Sequence, residues 1–421
     1  MVVRRFGVRW DVYARHRLDL SPGDIFFGVG SCLLPLRRGR LESEVLGLCS
    51  TKDNGLVCHS VRSGWDLWLG AQDFRAGDEI LVSAVTHPDM VRIIRGHGLR
   101  AVPVDIDPRT LAPLPSALEA ALTPRTRVVL VAHLFGGRMD LGIAAGYARE
   151  HGLILVEDCA QAFLGPEQVG DTAADVSMYS FGTLKTSTAL GGAVLRMRDH
   201  AVRRKMRHTQ AHYPVQRRVS YMKKLLISLG IVTVTRPRPY GLLAQFCTWL
   251  GTDLDAIVNR AVRAFPSGEP ERAFHRRLRQ RPCKPLLAVL ARRLRSFDQV
   301  RLDARSASGE RFAHKLRIAD AHPGGRSLRR THWLFPVVVR DPGSLILELR
   351  TRGLDVSRAT SSIAVVDASD GHTPPVHARR MMSGVVFLPV YPEVPPRALD
   401  AMVNVISDFA ASDAIEVATL S

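Results

Sequence analysis

Residues 152–165 read GLILVEDCAQAFLG and residues 175–195 read DVSMYSFGTLKTSTALGGAVL, and the fold turns on how these two stretches are understood. Leu153-Ile154-Leu155-Val156 is a run of four apolar residues behind Gly152, too short for a helix, and it reads as a buried parallel strand. It delivers Glu157 and Asp158 to its carboxyl end, the edge at which open α/β sheets hold their ligands. An acid there has an ordinary alternative role, as the cap of the next helix. A second strand is expected over 176–181, and its trailing loop carries Lys185 ahead of the glycine pair Gly191-Gly192. An aspartate and a lysine 27 residues apart, both presented by strand ends, suit one cofactor in particular.

Pyridoxal phosphate needs a lysine to form a Schiff base. It also needs a carboxylate on the pyridinium nitrogen, which keeps the ring protonated and able to accept electrons from a substrate carbanion. The stretch resembles the DegT/StrS family of PLP-dependent sugar aminotransferases, whose pattern is roughly EDAAQA, then SF(x)3K, then GGA. Here it stands as EDCAQA (157–162), SFGTLK (180–185) and Gly191-Gly192-Ala193. The resemblance implies that Lys185 holds the cofactor and shuttles the proton and that Asp158 partners the ring nitrogen. It further implies that Gln161 neighbours the ring hydroxyl and that Ser180 binds the phosphate. A lone SxxxxK would be weak; the elements in this order and spacing are specific.

A chain of 421 residues has room for two or three domains with ample core. Its net charge of +18 is unevenly spread, since residues 201–300 hold 21 Lys+Arg against 5 Asp+Glu. The six cysteines form no CxxC pair and no zinc-like spacing, so reduced core residues and no metal are expected. Arg4-Arg5 is a twin arginine, but no apolar region follows to make it a signal, and a cytoplasmic enzyme is the default. The basic excess carries no zinc finger and no aromatic-interleaved RNA module, so no nucleic-acid partner is expected.

Along the chain, residues 1–62 read as an N-terminal arm over the large domain. Ser63-Gly64-Trp65 opens a helical pattern where the related family has SGT, and a glycine at a helix start lets backbone N–H groups face a phosphate. The ordinary alternative is a plain N-cap. Trp65 and Asp66 replace the usual Thr-Ala, which removes a hydroxyl contact and leaves the backbone ones, and the helix before Gly77-Asp78 reads about one turn short. By equal-length alignment His87 falls where the family stacks an aromatic ring on the pyridine face, with a surface loop as the alternative. The repeating strands and helices from Ile80 to Val194 indicate an α/β fold of fold type I: a large PLP-binding domain (63–200) with a mostly parallel central sheet, and a smaller C-terminal α+β domain.

Residues 201–280 depart from the pattern as a basic, partly apolar insertion with 16 Lys+Arg against 4 Asp+Glu. Within it, 221–251 holds two apolar runs broken by Arg236-Pro237-Arg238-Pro239, each too short to span a bilayer. Either a peripheral contact with an anionic membrane or packing at a subunit interface accounts for them. The family pattern returns over 281–421 as a connecting helix and the small domain. Arg279 stands at the position from which the family reaches the partner subunit's cofactor phosphate, with a place on the basic surface as the alternative, and Arg358-Ala359-Thr360-Ser361-Ser362 replaces a histidine-bearing segment that shapes the sugar site. The resemblance implies a homodimer that moves an amino group from an amino acid, glutamate or another donor, to a keto sugar, nucleotide-linked. The alternatives are a PLP-dependent dehydratase or lyase, against which Lys185 argues, and a non-catalytic relative that binds an anionic membrane or polyanion.

Overall fold

A computed structural model describes residues 11–168, 170–252, 254, 257, 270–318, 322–358, 363–368 and 371–409. Arg4-Arg5 and residues 359–362 lie outside the described residues. The strands in chain order are β1 (Gly55–Cys58), β2 (Glu79–Ser83), β3 (Val85–Thr86), β4 (Arg100–Val104), β5 (Thr126–Ala132), β6 (Gly137–Arg138), β7 (Ile154–Asp158), β8 (Val176–Ser180), β9 (Ala193–Met197), β10 (Arg329–Arg330), β11 (Phe335–Val338), β12 (Ala364–Val365) and β13 (Val385–Leu388).

Seven of them form the central sheet in the order β1-β9-β8-β7-β5-β2-β4. The pairs from β4 through β8 are parallel, and β9 and β1 are added antiparallel. The apolar runs are continuous because both faces are covered: Ile80 and Val82 belong to one core and Leu81 to the other. Strand β1 lies ahead of the boundary drawn at residue 63 and forms an edge of the sheet.

The helices as far as residue 249 are α1 (Pro22–Leu33), α2 (Arg38–Leu48), α3 (Val61–Leu69), α4 (Pro88–Gly96), α5 (Pro115–Ala121), α6 (Gly142–Glu150), α7 (His200–Ala211), α8 (Arg218–Val234) and α9 (Pro237–Trp249). Ser21 and Asp24 close a capping box at the start of α1. Helices α1, α2 and α8 pack with the helix Lys284–Arg295 against one end of the sheet, in a core of Ile25, Val45, Tyr221, Leu225, Leu286 and Leu290.

The C-terminal unit packs the helices Gln299–Lys315, Pro342–Thr351 and Pro396–Phe409 on the antiparallel pair β11/β13, around Phe312, Phe335, Leu345 and Met402. The N-terminal segment is tied to this smaller unit as well as to the larger one. Tyr13 bridges Leu354, and Arg15 forms a buried ion pair with Asp355.

The two apolar runs of the basic region are α8 and α9. Each turns one face inward, with Tyr221, Leu225 and Ser228 buried on α8 and Tyr240, Ala244 and Cys247 on α9. Leu226, Ile227, Leu242, Phe246 and Trp249 remain exposed. Among the described residues no helix is long and apolar enough to cross a membrane.

Candidate active site

The parallel strands end along one edge, and that edge gathers the chemistry. Asp158 closes β7 and Ser180 closes the adjacent parallel β8, whose Met178 lies opposite Asp158. Asp158 Oδ1 accepts the Ala160 N–H (2.9 Å), which orients the carboxylate and leaves Oδ2 to accept elsewhere. Burial pushes its carboxyl above the usual range against the pull of the Ala160 amide, Lys185 and His133.

Behind it lies a buried support. Glu157 takes His133 Nε2 (3.1 Å), Arg138 Nη2 (3.1 Å) and the Asp171 N–H (2.7 Å). Burial favours its neutral form, but His133, Arg138 and the Asp171 amide outweigh that and hold the carboxyl at about 2. His133 Nδ1 accepts the Met139 N–H (3.2 Å), so the ring's other nitrogen carries the proton donated to Glu157. Cys159 lies beside this pair, close enough for a three-ligand cluster, yet both imidazole nitrogens are already engaged. All six cysteines are buried and none is in a disulfide.

Lys185 lies deep in the protein yet keeps part of its surface open. Burial pushes its ammonium down to about 8, with Asp158 pulling it back up and Arg62 adding to the depression. Its Nζ stands 4.3 Å from the ring centroid of Trp333, whose indole N–H donates to Leu184 O (2.8 Å).

The helix facing this lysine starts earlier than the sequence suggested. Ser60, not Ser63, is the N-cap of α3: its Oγ accepts the Ser63 N–H (3.1 Å) and its carbonyl the Gly64 N–H (3.0 Å). Three extra residues at the front supply the turn that looked missing. Gly64 is explained by packing, since a Cβ there would come within 2.5 Å of Leu195 Cδ1. The indole of Trp65 is fully buried, stacked on Trp68 at 5.2 Å, with its N–H aimed at Met90 O (3.4 Å). Ser63, Gly64 and Trp65 therefore sit one turn inside the helix, and the residues at its mouth are Val61 and Arg62. Arg62 pairs with Asp89 at 2.6 Å.

His87 caps α4 through Nδ1, which accepts the Asp89 N–H (3.1 Å). Burial, Arg62 and Lys185 push its pKa down against the pull of Asp89, leaving a neutral ring beside Lys185. Gln161 Oε1 accepts the Phe135 N–H (3.0 Å), so what it can offer a bound ring is its amide NH2. Ser180 Oγ accepts the Gly182 N–H (3.4 Å). Arg279 turns inward to the buried Asp66, at 3.0 Å from Oδ2. That residue, also held by His97 (3.0 Å), is the departure noted after Trp65.

Sequence reasoning did not find Arg62, Trp333, Arg305 or Lys224. Arg305 donates to Thr186 Oγ1 (3.1 Å) and Thr331 O (2.8 Å), beside the Lys185 loop. Lys224 comes from α8 and donates to Leu190 O. Counting back from Gly77-Asp78 by whole helical turns would have exposed Arg62. Nothing local signals the other three.

The family model described as the DegT/DnrJ/EryC1/StrS aminotransferase family matches residues 39–231, which runs through α7 and into α8. A curated relative, UDP-N-acetyl-3-dehydro-alpha-D-glucosamine 3-aminotransferase of Acidithiobacillus ferrooxidans, is 33% identical over 199 residues, 45% of this chain and 53% of that protein. The chain thus spans about half the length of that relative. Among solved structures, the aminotransferase TlmJ from Streptoalloteichus hindustanus superposes with a TM-score of 0.68 at 17% identity, covering 95% of this chain and 99% of that one. NtdA from Bacillus subtilis, solved with bound cofactor PMP, gives 0.66 at 15% identity over 93% of this chain and 82% of that one. With the strand-end Asp158, the Lys185 loop and a mostly parallel central sheet, residues 39–231 match the DegT/DnrJ/EryC1/StrS aminotransferase family, within a chain that has the fold of the type I aminotransferases.

Proposed function

We propose that this protein is a PLP-dependent aminotransferase that moves an amino group from an amino acid to the keto group of a nucleotide-linked sugar. One observation carries the reading: Asp158 at the end of β7 and Lys185 in the loop after β8 lie within electrostatic reach, each favouring the other's charge. The residues present fit pyridoxal phosphate. Buried polar atoms without partners, His59 Nδ1 and Thr183 Oγ1, lie in the segments flanking the cleft, and its cations Arg62, Lys224 and Lys185 suit a phosphate.

Bound there, the cofactor supplies the electron sink for charge that develops at a substrate carbon. Asp158 would hold the proton of the ring nitrogen, and His87, a neutral imidazole, would cover the ring. Ser180 and the amides of Val61 and Arg62 would hold the phosphate. Lys185, its ammonium already lowered to about 8, gives and takes the proton at the reacting carbon near neutral pH. The diphosphate of a nucleotide sugar suits the remaining arginines.

The test is spectroscopic. Protein incubated with pyridoxal phosphate should turn yellow and bleach on addition of glutamate or glutamine, whichever is the donor, and Lys185→Ala should lose the visible band. A wild type that stays colourless ends the reading.

A homodimer and a cytoplasmic location are proposed from the likeness to the family alone. Leu242, Phe246 and Trp249, exposed beside Arg236 and Arg238, support a peripheral contact with anionic lipid. Flotation with anionic vesicles at low salt, compared with Phe246→Ser/Trp249→Ser, tests that contact. If those changes break a dimer and leave vesicle binding untouched, the face is a subunit interface.

A further inference from the structure

Helix α8 meets the turn before Gly191-Gly192 at one point. Tyr221 OH donates to Ala189 O (2.9 Å), and three residues on, one turn along the same face, Lys224 Nζ donates to Leu190 O. These carbonyls belong to the turn that ends in Gly191-Gly192, and the Gly192 N–H donates to His59 O (2.8 Å). His59 in turn precedes Ser60, the cap of α3, with Arg62 two residues further. Lys224, His59 and Arg62 thus converge from three elements, each within electrostatic reach of the other two.

The charge at this point is unbalanced. Among the described residues no carboxylate pairs with Lys224, and its charged neighbour is another cation, Arg62, whose own acid is Asp89. His59 Nδ1 is buried with no hydrogen-bond partner. Burying an ammonium beside a guanidinium and an unpaired imidazole nitrogen is costly unless an anion occupies the space between them.

We propose that Lys224, Arg62 and His59 form a site for a phosphoryl dianion, in which α8 supplies from within the same chain a second cation beside Arg62 at the mouth of α3. Two sources of that chemistry are possible, the phosphate of the cofactor and the diphosphate of a nucleotide-linked substrate. The identification of either source rests on the functional reading above; the site itself does not.

The primary test therefore uses inorganic phosphate and pyrophosphate on the cofactor-free chain, which need no catalysis. Calorimetric titration should show binding to wild type, a loss of about tenfold to hundredfold in Lys224→Gln, as for one charge-assisted hydrogen bond, and near recovery in Lys224→Arg. Equal affinities in wild type and Lys224→Gln would overturn the site. Should Lys224→Gln not fold, acetic anhydride labelling of the wild type decides: pyrophosphate should protect Lys224, read by mass spectrometry, and labelling unaffected by pyrophosphate counts against the site.

Two further arms separate the sources. If the cofactor is the ligand, Lys224→Gln loses affinity for pyridoxal phosphate but keeps that for pyridoxal. If the substrate is the ligand, the variant keeps pyridoxal phosphate and loses UDP. Failure of the yellow-colour test with intact phosphate binding would remove the aminotransferase reading and leave the anion site standing.

Discussion

Replacing Lys185 with methionine should stabilise the cofactor-free protein while abolishing the function proposed for it. Methionine keeps the length and apolar stem of lysine and removes the charge. Burial lowers the Lys185 ammonium from an ordinary 10.5 to about 8, and a displacement of that size corresponds to about 3 kcal/mol of disfavoured charge. Part of the side chain stays open to solvent, and its removal costs Asp158 a favourable neighbour, so a net gain of about 1–2 kcal/mol at pH 7 is expected.

The sign with pH follows from linkage. Below pH 8 the lysine is charged in both states and the cost is fully present. Between pH 8 and 10.5 the folded chain has released a proton that the unfolded chain still binds, so wild-type stability rises relative to the variant. Lys224 titrates over the same range, but it is common to both proteins and cancels in the difference. Urea unfolding of both cofactor-free proteins at pH 7, 8.5 and 10, at one protein concentration, reads the difference curve. A variant less stable than wild type at pH 7, or a difference flat with pH, would refute the claim that Lys185 is held as a strained charge.

Asp158→Ala should suppress amino transfer far more than cofactor affinity, because the charge that protonates the ring nitrogen is gone while the phosphate contacts remain; turnover near wild type would reduce Asp158 to a strand-end cap. Gly64→Ala should cost about 1–3 kcal/mol in urea unfolding, since the new methyl meets Leu195, itself fully buried and unable to swing aside. Asp355 accepts Arg15 at 2.8 Å through each oxygen and Tyr240 OH at 2.6 Å and pairs with Arg350 as well, so Asp355→Ala removes the carboxylate that two buried arginines share. It should destabilise by about 3–5 kcal/mol and expose the N-terminal segment to limited proteolysis, and an unchanged cleavage pattern would mean that the pair does not hold the segment.

The strands and the residues at their ends were legible because they are local. Four apolar residues behind Gly152 can only bury as a short strand, and a strand carries whatever follows it to the sheet's edge, which is why Asp158, Ser180 and Lys185 lie where their spacing placed them. The start of α3 was misread by three residues because Ser60 and Ser63 are equally good caps by type. Only the hydrogen bond from the Ser63 amide to Ser60 Oγ distinguishes them. That shift moved Trp65 from the cleft into the core and put Arg62 at the mouth in its place. Arg279 read as a surface or partner contact because its acid, Asp66, lies 213 residues away in sequence.

By itself, the sequence determined the α/β class, the family resemblance and the Asp158–Lys185 pair, all set by short-range hydrophobic runs and motif order. The tertiary structure alone decided which cations surround that pair. Lys224 reaches the Gly191-Gly192 turn only because α8 crosses α1 so closely that a Cβ on Gly28 would come within 2.8 Å of Leu225. Trp333 and Arg305 reach the Lys185 loop from the far side because the C-terminal unit docks there. Such positions depend on which helix faces pack together, and no spacing along the chain encodes them.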